Sequence, residues 1–306
     1  MCYAKPAIMR RPIARIAIAL ALLCALPAMT WAQSGTPRNY GLTPVDATTA
    51  FINLTGSGSE TAADANLSLP SNLSINRSGT ATILYSFPLG AVYGGVAITA
   101  GSATVTTRSG AGEAQTTGFT DPSMTFHVNL FGGPALRRDQ YASFIPVTYA
   151  TFHLTVNAPL GTYDRYASVN SGAHRWTISP LVNYSITTDR GVSWIDLYAG
   201  AQFYSANEEY RGDGRLTQAP LVTLTAYYSH NITSTAWAGI GVYYRNGGET
   251  SVNGVSRADS LNSIRPSVAI SEKWGGFRFT LRFDSPTSDP MTRSAVIALQ
   301  ISSPPF

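Results

Sequence analysis

Residues 195–204 read Ile195-Asp196-Leu197-Tyr198-Ala199-Gly200-Ala201-Gln202-Phe203-Tyr204, and this stretch decides the fold. Ile195, Leu197, Ala199, Ala201 and Phe203 fall on one face of an extended strand, and Asp196, Tyr198, Gly200, Gln202 and Tyr204 on the other. Successive side chains alternate across a strand, so one face is apolar and the other polar and bulky. A soluble sandwich would set the apolar face against a second sheet. An outer-membrane barrel would set it against lipid and turn the polar face to a lumen.

The same alternation continues on either side. Downstream, Val222, Leu224, Ala226 and Tyr228 oppose Thr223, Thr225, Tyr227 and Ser229. Ala236 to Tyr244 oppose Trp237, Gly239, Gly241, Tyr243 and Arg245, and Phe277, Phe279, Leu281 and Phe283 oppose Arg278, Thr280, Arg282 and Asp284. Upstream, Trp176, Ile178, Val182 and Tyr184 oppose Arg175, Thr177, Ser179 and Asn183. Met124, Phe126 and Val128 flank His127, and Phe152, Leu154 and Val156 flank His153. The pattern gives about twelve strands of roughly nine to eleven residues, the length a tilted strand needs to cross an outer membrane.

The links alternate too. Counted back from the C-terminus they run long, short, long, short, as they would between external loops and periplasmic turns. A sandwich has no reason to alternate in this way. The link Gly132 to Tyr141 should be short and is not, and the Gly/Thr/Ser-rich stretch Thr107 to Gly118 reads as a long loop. The expected fold is all-β, a transmembrane antiparallel β-barrel over residues 80–306. Residues 33–79 form an N-terminal segment holding the first strand or strands, with Ala50–Leu54 and Asn66–Ile75 as candidates.

Residues 1–32 read as a secretory signal peptide. Lys5, Arg10, Arg11 and Arg15 form a basic start, Ile16–Leu26 an apolar run too short to span a bilayer, and Thr30-Trp31-Ala32 a small-x-small cleavage site. Those four cations belong to a total of 21 Lys+Arg against 17 Asp+Glu, so the chain after removal is balanced. The basic character is therefore no sign of a nucleic-acid partner. Both cysteines, Cys2 and Cys24, lie in the same segment, which excludes disulfides, thiol nucleophiles and cysteine-ligated metals from the rest.

Several motifs carry a family resemblance. They are Gly118-Phe119-Thr120-Asp121-Pro122-Ser123, Ala158-Pro159-Leu160-Gly161-Thr162-Tyr163-Asp164, the Arg175-Trp176 strand opening, and Asn246-Gly247-Gly248-Glu249-Thr250 with Asn253-Gly254. In their order and spacing the chain resembles the outer-membrane transporters grouped as the "MetA-pathway of phenol degradation" family, from about Thr80 to the C-terminus. The resemblance implies a bacterial outer-membrane barrel associated with degradation of aromatic compounds, a role in solute uptake, and no catalytic residues. The partners expected are outer-membrane lipid and lipopolysaccharide, a small-molecule solute, and the barrel-assembly machinery reading the terminal Phe306.

Any chemistry lies on the inward face. By parity Arg175, Asp196, Arg245, Arg265, Arg278, Arg282 and Asp284 point to the lumen, where a charge avoids the cost of about 2–4 kcal/mol at mid-depth in lipid. They read either as a constriction selecting polar or anionic solutes or as a salt-bridged plug in a narrow barrel. Tyr198, Tyr204, Tyr227 and Tyr243, with Gln202, face the same space, and could stack on an aromatic solute or fill room beside Gly200, Gly239 and Gly241. His127 and His153 are both inward on consecutive strands, but no third ligand completes a metal site. No Gly-x-Ser-x-Gly occurs, and neither a cofactor nor an enzymatic activity is expected. Three readings stay open: passive uptake of small aromatic or hydrophobic solutes, a non-conducting structural or adhesive barrel, and an integral membrane hydrolase.

Overall fold

Each strand of the computed structural model sits where lipid on one side and polar groups on the other demand alternation. The structure describes residues 36–39, 41–61, 72–110, 112–285 and 292–305. Residues 1–32, read above as a signal peptide, lie outside them, as do Phe306 and residues 66–71 of the candidate strand Asn66–Ile75.

The first strands are β1 (Ala47–Thr61), β2 (Asn72–Leu89) and β3 (Val92–Ser109), followed by β4 (Gly112–Phe119) and β5 (Ser123–Phe131). A short helix α1 (Arg138–Ala142) precedes β6 (Tyr149–Asn157), β7 (Thr177–Ile186) and β8 (Ser193–Tyr204). Next come β9 (Asn207–Tyr210), β10 (Gly214–Gln218), β11 (Leu221–Asn231), β12 (Ala236–Gly247), β13 (Thr250–Val252) and β14 (Val255–Ser256). The chain closes with β15 (Leu261–Trp274), β16 (Phe277–Asp284) and β17 (Thr292–Ser302).

Thirteen of these strands form one antiparallel sheet, and β1 pairs with β17 from Phe51↔Ser302 to Thr61↔Thr292. That seam closes the ring, so no edge strand is left to lipid. Strands β4 and β5 are two halves of one stave. β4 pairs with Ser102–Ser109 of β3 and β5 with Gly94–Thr99. The barrel therefore has twelve staves, as the alternation implies. The outward faces carry Ile52, Ile83, Ile98, Phe126, Ile195, Leu224, Ile240, Val268 and Ile270, all exposed.

Three expectations change. Strand β1 occupies residues 47–61 and β2 begins at Asn72, so the barrel sheet takes in residues from Ala47 and not only from about residue 80. The stretch Thr107–Gly118 is a hairpin of β3 and β4 instead of a loop. There Thr104 and Thr117 hydroxyls meet at 3.0 Å, and Arg108 pairs with Glu113 at 2.7 Å. With 18 residues each, β2 and β3 outrun the nine to eleven needed to cross, so their far ends carry no apolar face to betray them.

The third change explains the broken loop rhythm. The link between β5 and β6 holds α1, capped by the Gln140 side chain on the Arg137 N–H at 3.0 Å. It grips the N-terminal segment. Val45 donates to the Leu136 carbonyl (2.8 Å), and the Tyr141 hydroxyl donates to the Leu42 carbonyl (2.5 Å). At the opposite end, the loops after β8 and β12 form a second small sheet in the order β14-β13-β10-β9.

Candidate functional site: the lumen and its N-terminal stopper

The lumen has a turn end, where the short links lie, and a loop end. At the turn end residues Thr36–Asn39 make a tight turn, closed by the Asn39 N–H on the Thr36 carbonyl at 3.0 Å. This turn lies inside the barrel. Arg38, in the left-handed region at φ 59°, is its centre. Its backbone N–H donates to Asp196 Oδ2 at 3.0 Å. Its guanidinium donates to Ser229 Oγ (2.8 Å), Asn231 Oδ1 (2.5 Å) and the Val192 carbonyl (3.2 Å), and lies 5.3 Å over the Trp237 ring. Burial lowers the guanidinium to about 10 against the opposing pull of Asp196, so it remains charged at neutral pH.

Asp196 is fully buried. Its second oxygen accepts from Ser185 Oγ at 2.6 Å, and Ser185 accepts from Asn183 Nδ2 at 2.7 Å. A carboxylate thus sits at the end of a hydrogen-bonded relay across β7 and β8, held ready for the turn. The Tyr198 hydroxyl donates to the Thr36 carbonyl (3.3 Å), and Gln300 Nε2 to Asn39 Oδ1 (3.1 Å). Arg282 Nη1 reaches Thr36 Oγ1 at 3.5 Å. Lower down, Thr43 Oγ1 lies 2.7 Å from Ser86 Oγ. Sequence reading missed this stopper, because the eleven residues 36–46 lack periodicity and give no signal beyond Arg38 and two prolines, Pro37 and Pro44.

The remaining inward residues divide between the two ends. Arg278 is near the turns, donating to Ser271 Oγ at 3.0 Å. Tyr227 and Tyr198 meet edge to face at 6.4 Å, and both are buried. Tyr227 lies across its register partner Gly241, where any Cβ would strike the ring and the Ala226 carbonyl. Arg282 pairs with Asp284 at 3.2 Å, and Asp284 also accepts from Ser267 (2.7 Å), which accepts from the Tyr227 hydroxyl (3.2 Å).

Toward the loops, Arg265 stands in register with Tyr243, two residues along β12 from Arg245. The Arg245 guanidinium is 5.7 Å over the Tyr243 ring, and Arg175 is 4.6 Å over Tyr204. Arg175 donates to Gln218 Oε1 at 2.5 Å, and the Tyr204 hydroxyl to Gln202 Oε1 at 2.7 Å. His127 and His153 are register partners with Nδ1 atoms 2.5 Å apart, so one ring donates to the other. No cluster of three or more metal-ligating side chains occurs among the described residues.

The family motifs build the loop end. Asp121 accepts from the Gly161 and Ala173 N–H groups, both at 2.8 Å, tying the loop after β6 to the break between β4 and β5. A Cβ at Gly161 would collide with Asp121 and Gly172. Residues 44–285 match the family described as "Putative MetA-pathway of phenol degradation". The chain belongs to this family. Its structure is similar to the COG4313 outer membrane channel from Pseudomonas putida F1, with a TM-score of 0.71 and 18% identity over 89% of this chain and 99% of that one. The translocator domain of autotransporter NalP from Neisseria meningitidis gives a TM-score of 0.51 at 10% identity, over 94% of this chain and 97% of that one. The beta domain of the Bordetella autotransporter BrkA gives 0.52 at 8% identity, over 84% and 99%. Among curated proteins, none matches the chain. The fold is that of bacterial outer-membrane barrels, and the family member described here is an outer-membrane protein whose apolar wall faces lipid.

Proposed function

We propose that this barrel is a channel, without catalytic activity, for passive uptake of small aromatic or hydrophobic solutes, and that the N-terminal turn is its stopper. The stopper carries the reading. It is held by hydrogen bonds and a cation–π contact centred on Arg38 and Asp196, with the Pro37 side chain buried beside them. Each of these polar contacts can be exchanged for water at a net cost of about 0.5–3 kcal/mol, unlike a packed apolar core. The inward tyrosines supply ring faces for an aromatic solute, and the family's link to phenol degradation fits that class. Lipopolysaccharide around the loop end and the assembly machinery at Phe306 complete the proposed set of partners.

Planar-bilayer recording of the full chain, beside Asp196→Ala and Arg38→Ala, tests the channel. The wild type should conduct in brief, infrequent openings, and both variants should stay open longer. Liposomes holding the variants should take up phenol. Silence of all three proteins, with the barrel's heat-modifiable gel shift intact, would leave a non-conducting surface barrel as the better account.

A further inference from the structure

The lumen beyond the stopper gathers positive charge around Tyr243. Arg265 lies close enough to feel the charges of both Arg245 and Arg282, and all three act on Tyr243. Among the described residues one carboxylate, Asp284, serves this group, and it is already engaged by Arg282 and by Ser267. Arg245 is 3% exposed, and its Nε and Nη1 are buried with no hydrogen-bond partner among the described residues. Buried guanidinium N–H groups normally find an acceptor, because leaving a charged donor unsatisfied forfeits its hydration without return. Among the described residues no acceptor reaches these two atoms, and a ligand in the lumen would supply one.

The surroundings specify its chemistry. Beside the unanswered N–H groups stand Tyr243, under the Arg245 guanidinium, and Tyr204, under Arg175. A guanidinium and a carboxylate make strong charge-assisted hydrogen bonds, and tyrosine rings offer edge or face to another ring. We infer that Arg245, with Arg265 and the Tyr204 and Tyr243 rings, forms a binding site for a small aromatic carboxylate. This deepens the channel reading by naming a solute class, and only the purpose of the site rests on that reading. The occupant is a monoanion whose carboxylate lies on Arg245 and whose ring packs against the tyrosines.

Equilibrium dialysis of the detergent-purified full chain at pH 7 tests the site with labelled benzoate, phenol and acetate. Benzoate should bind saturably and about tenfold tighter than either, and should weaken as salt is raised. Arg245→Gln should lose that preference and keep phenol binding, while Arg245→Lys should lose only part of it. Arg265→Gln serves if Arg245→Gln loses the heat-modifiable gel shift. Benzoate binding no tighter than phenol, or unchanged in folded Arg245→Gln, would overturn the proposal. Inorganic phosphate competing as well as benzoate would overturn its aromatic half. Saturable benzoate binding by a barrel that never conducts would remove the transport reading and leave the site standing. Conductance without benzoate preference would do the reverse.

Discussion

Arg38 and Arg245 are the same side chain in the same barrel, the first half-buried and the second buried, and they are treated in opposite ways. Arg38, at the turn end, meets a carboxylate, a hydroxyl, an amide and a carbonyl supplied by β8, β11 and the link before β8. Arg245, toward the loops, keeps two buried nitrogens without a partner among the described residues. A buried charge that the chain satisfies holds structure together, whereas one it does not satisfy is a standing cost that only a ligand removes. The turn end is therefore built to be closed by the chain, and the loop half is left for something else to complete.

The strongest way to break this contrast is to remove the stopper's acceptor. Asp196→Ala strands the Arg38 N–H and the Ser185 hydroxyl, and should cost about 3 kcal/mol in thermal or denaturant unfolding, with the N-terminal segment becoming open to protease. A double-mutant cycle with Arg38→Met should show the two losses to be less than additive. If they add, the pair does not act as a unit. Next in size is Gly241→Val, which drives a side chain into Tyr227 and should cost about 2 kcal/mol by overpacking without touching either arginine. Arg245→Met should move the other way, leaving stability unchanged or about 1 kcal/mol higher, because it deletes an uncompensated charge. A loss as large as that of Arg38→Met would erase the distinction.

The smallest effect belongs to the turn before β8. Hydrogen bonds from Ser193 hold the exposed Asp189 carboxyl below its ordinary value. Its contribution is present above the unfolded carboxylate range and lost as pH falls through the lower folded value. Asp189→Ala should accordingly lower stability slightly at pH 7 and match the wild type once pH has fallen below the folded value, so that its acid limb is flatter.

The staves were legible because lipid enforces period two, as Ile195–Tyr204 shows on both faces. Where lipid stops, the signal stops. Thr104, Thr117, Arg108 and Glu113 pair as well as any strand residues, but with water on every side their sequence carries the composition of a loop. Parity assigns the inward residues one by one, since each follows an outward neighbour. It does not give their division into a satisfied and an unsatisfied end, because that depends on where Arg38 arrives. Arg38 and Asp196 are 158 residues apart, and no local pattern couples them. The overlong link between β5 and β6 was visible as an exception, but not the segment it grips.

The stopper also has a consequence for assembly. Its few residues touch β2 through Ser86, β8 through Asp196, β11 through Ser229, β16 through Arg282 and β17 through Gln300. These contacts are spread around the circumference, on both flanks of the β1–β17 seam, and can all be made only when the ring has closed in register. The turn works as a caliper: a barrel misregistered by one residue presents the wrong faces to it and leaves it loose. Protection of the N-terminal segment is thus a readout of correct closure, available to any quality-control protease that samples the turn end.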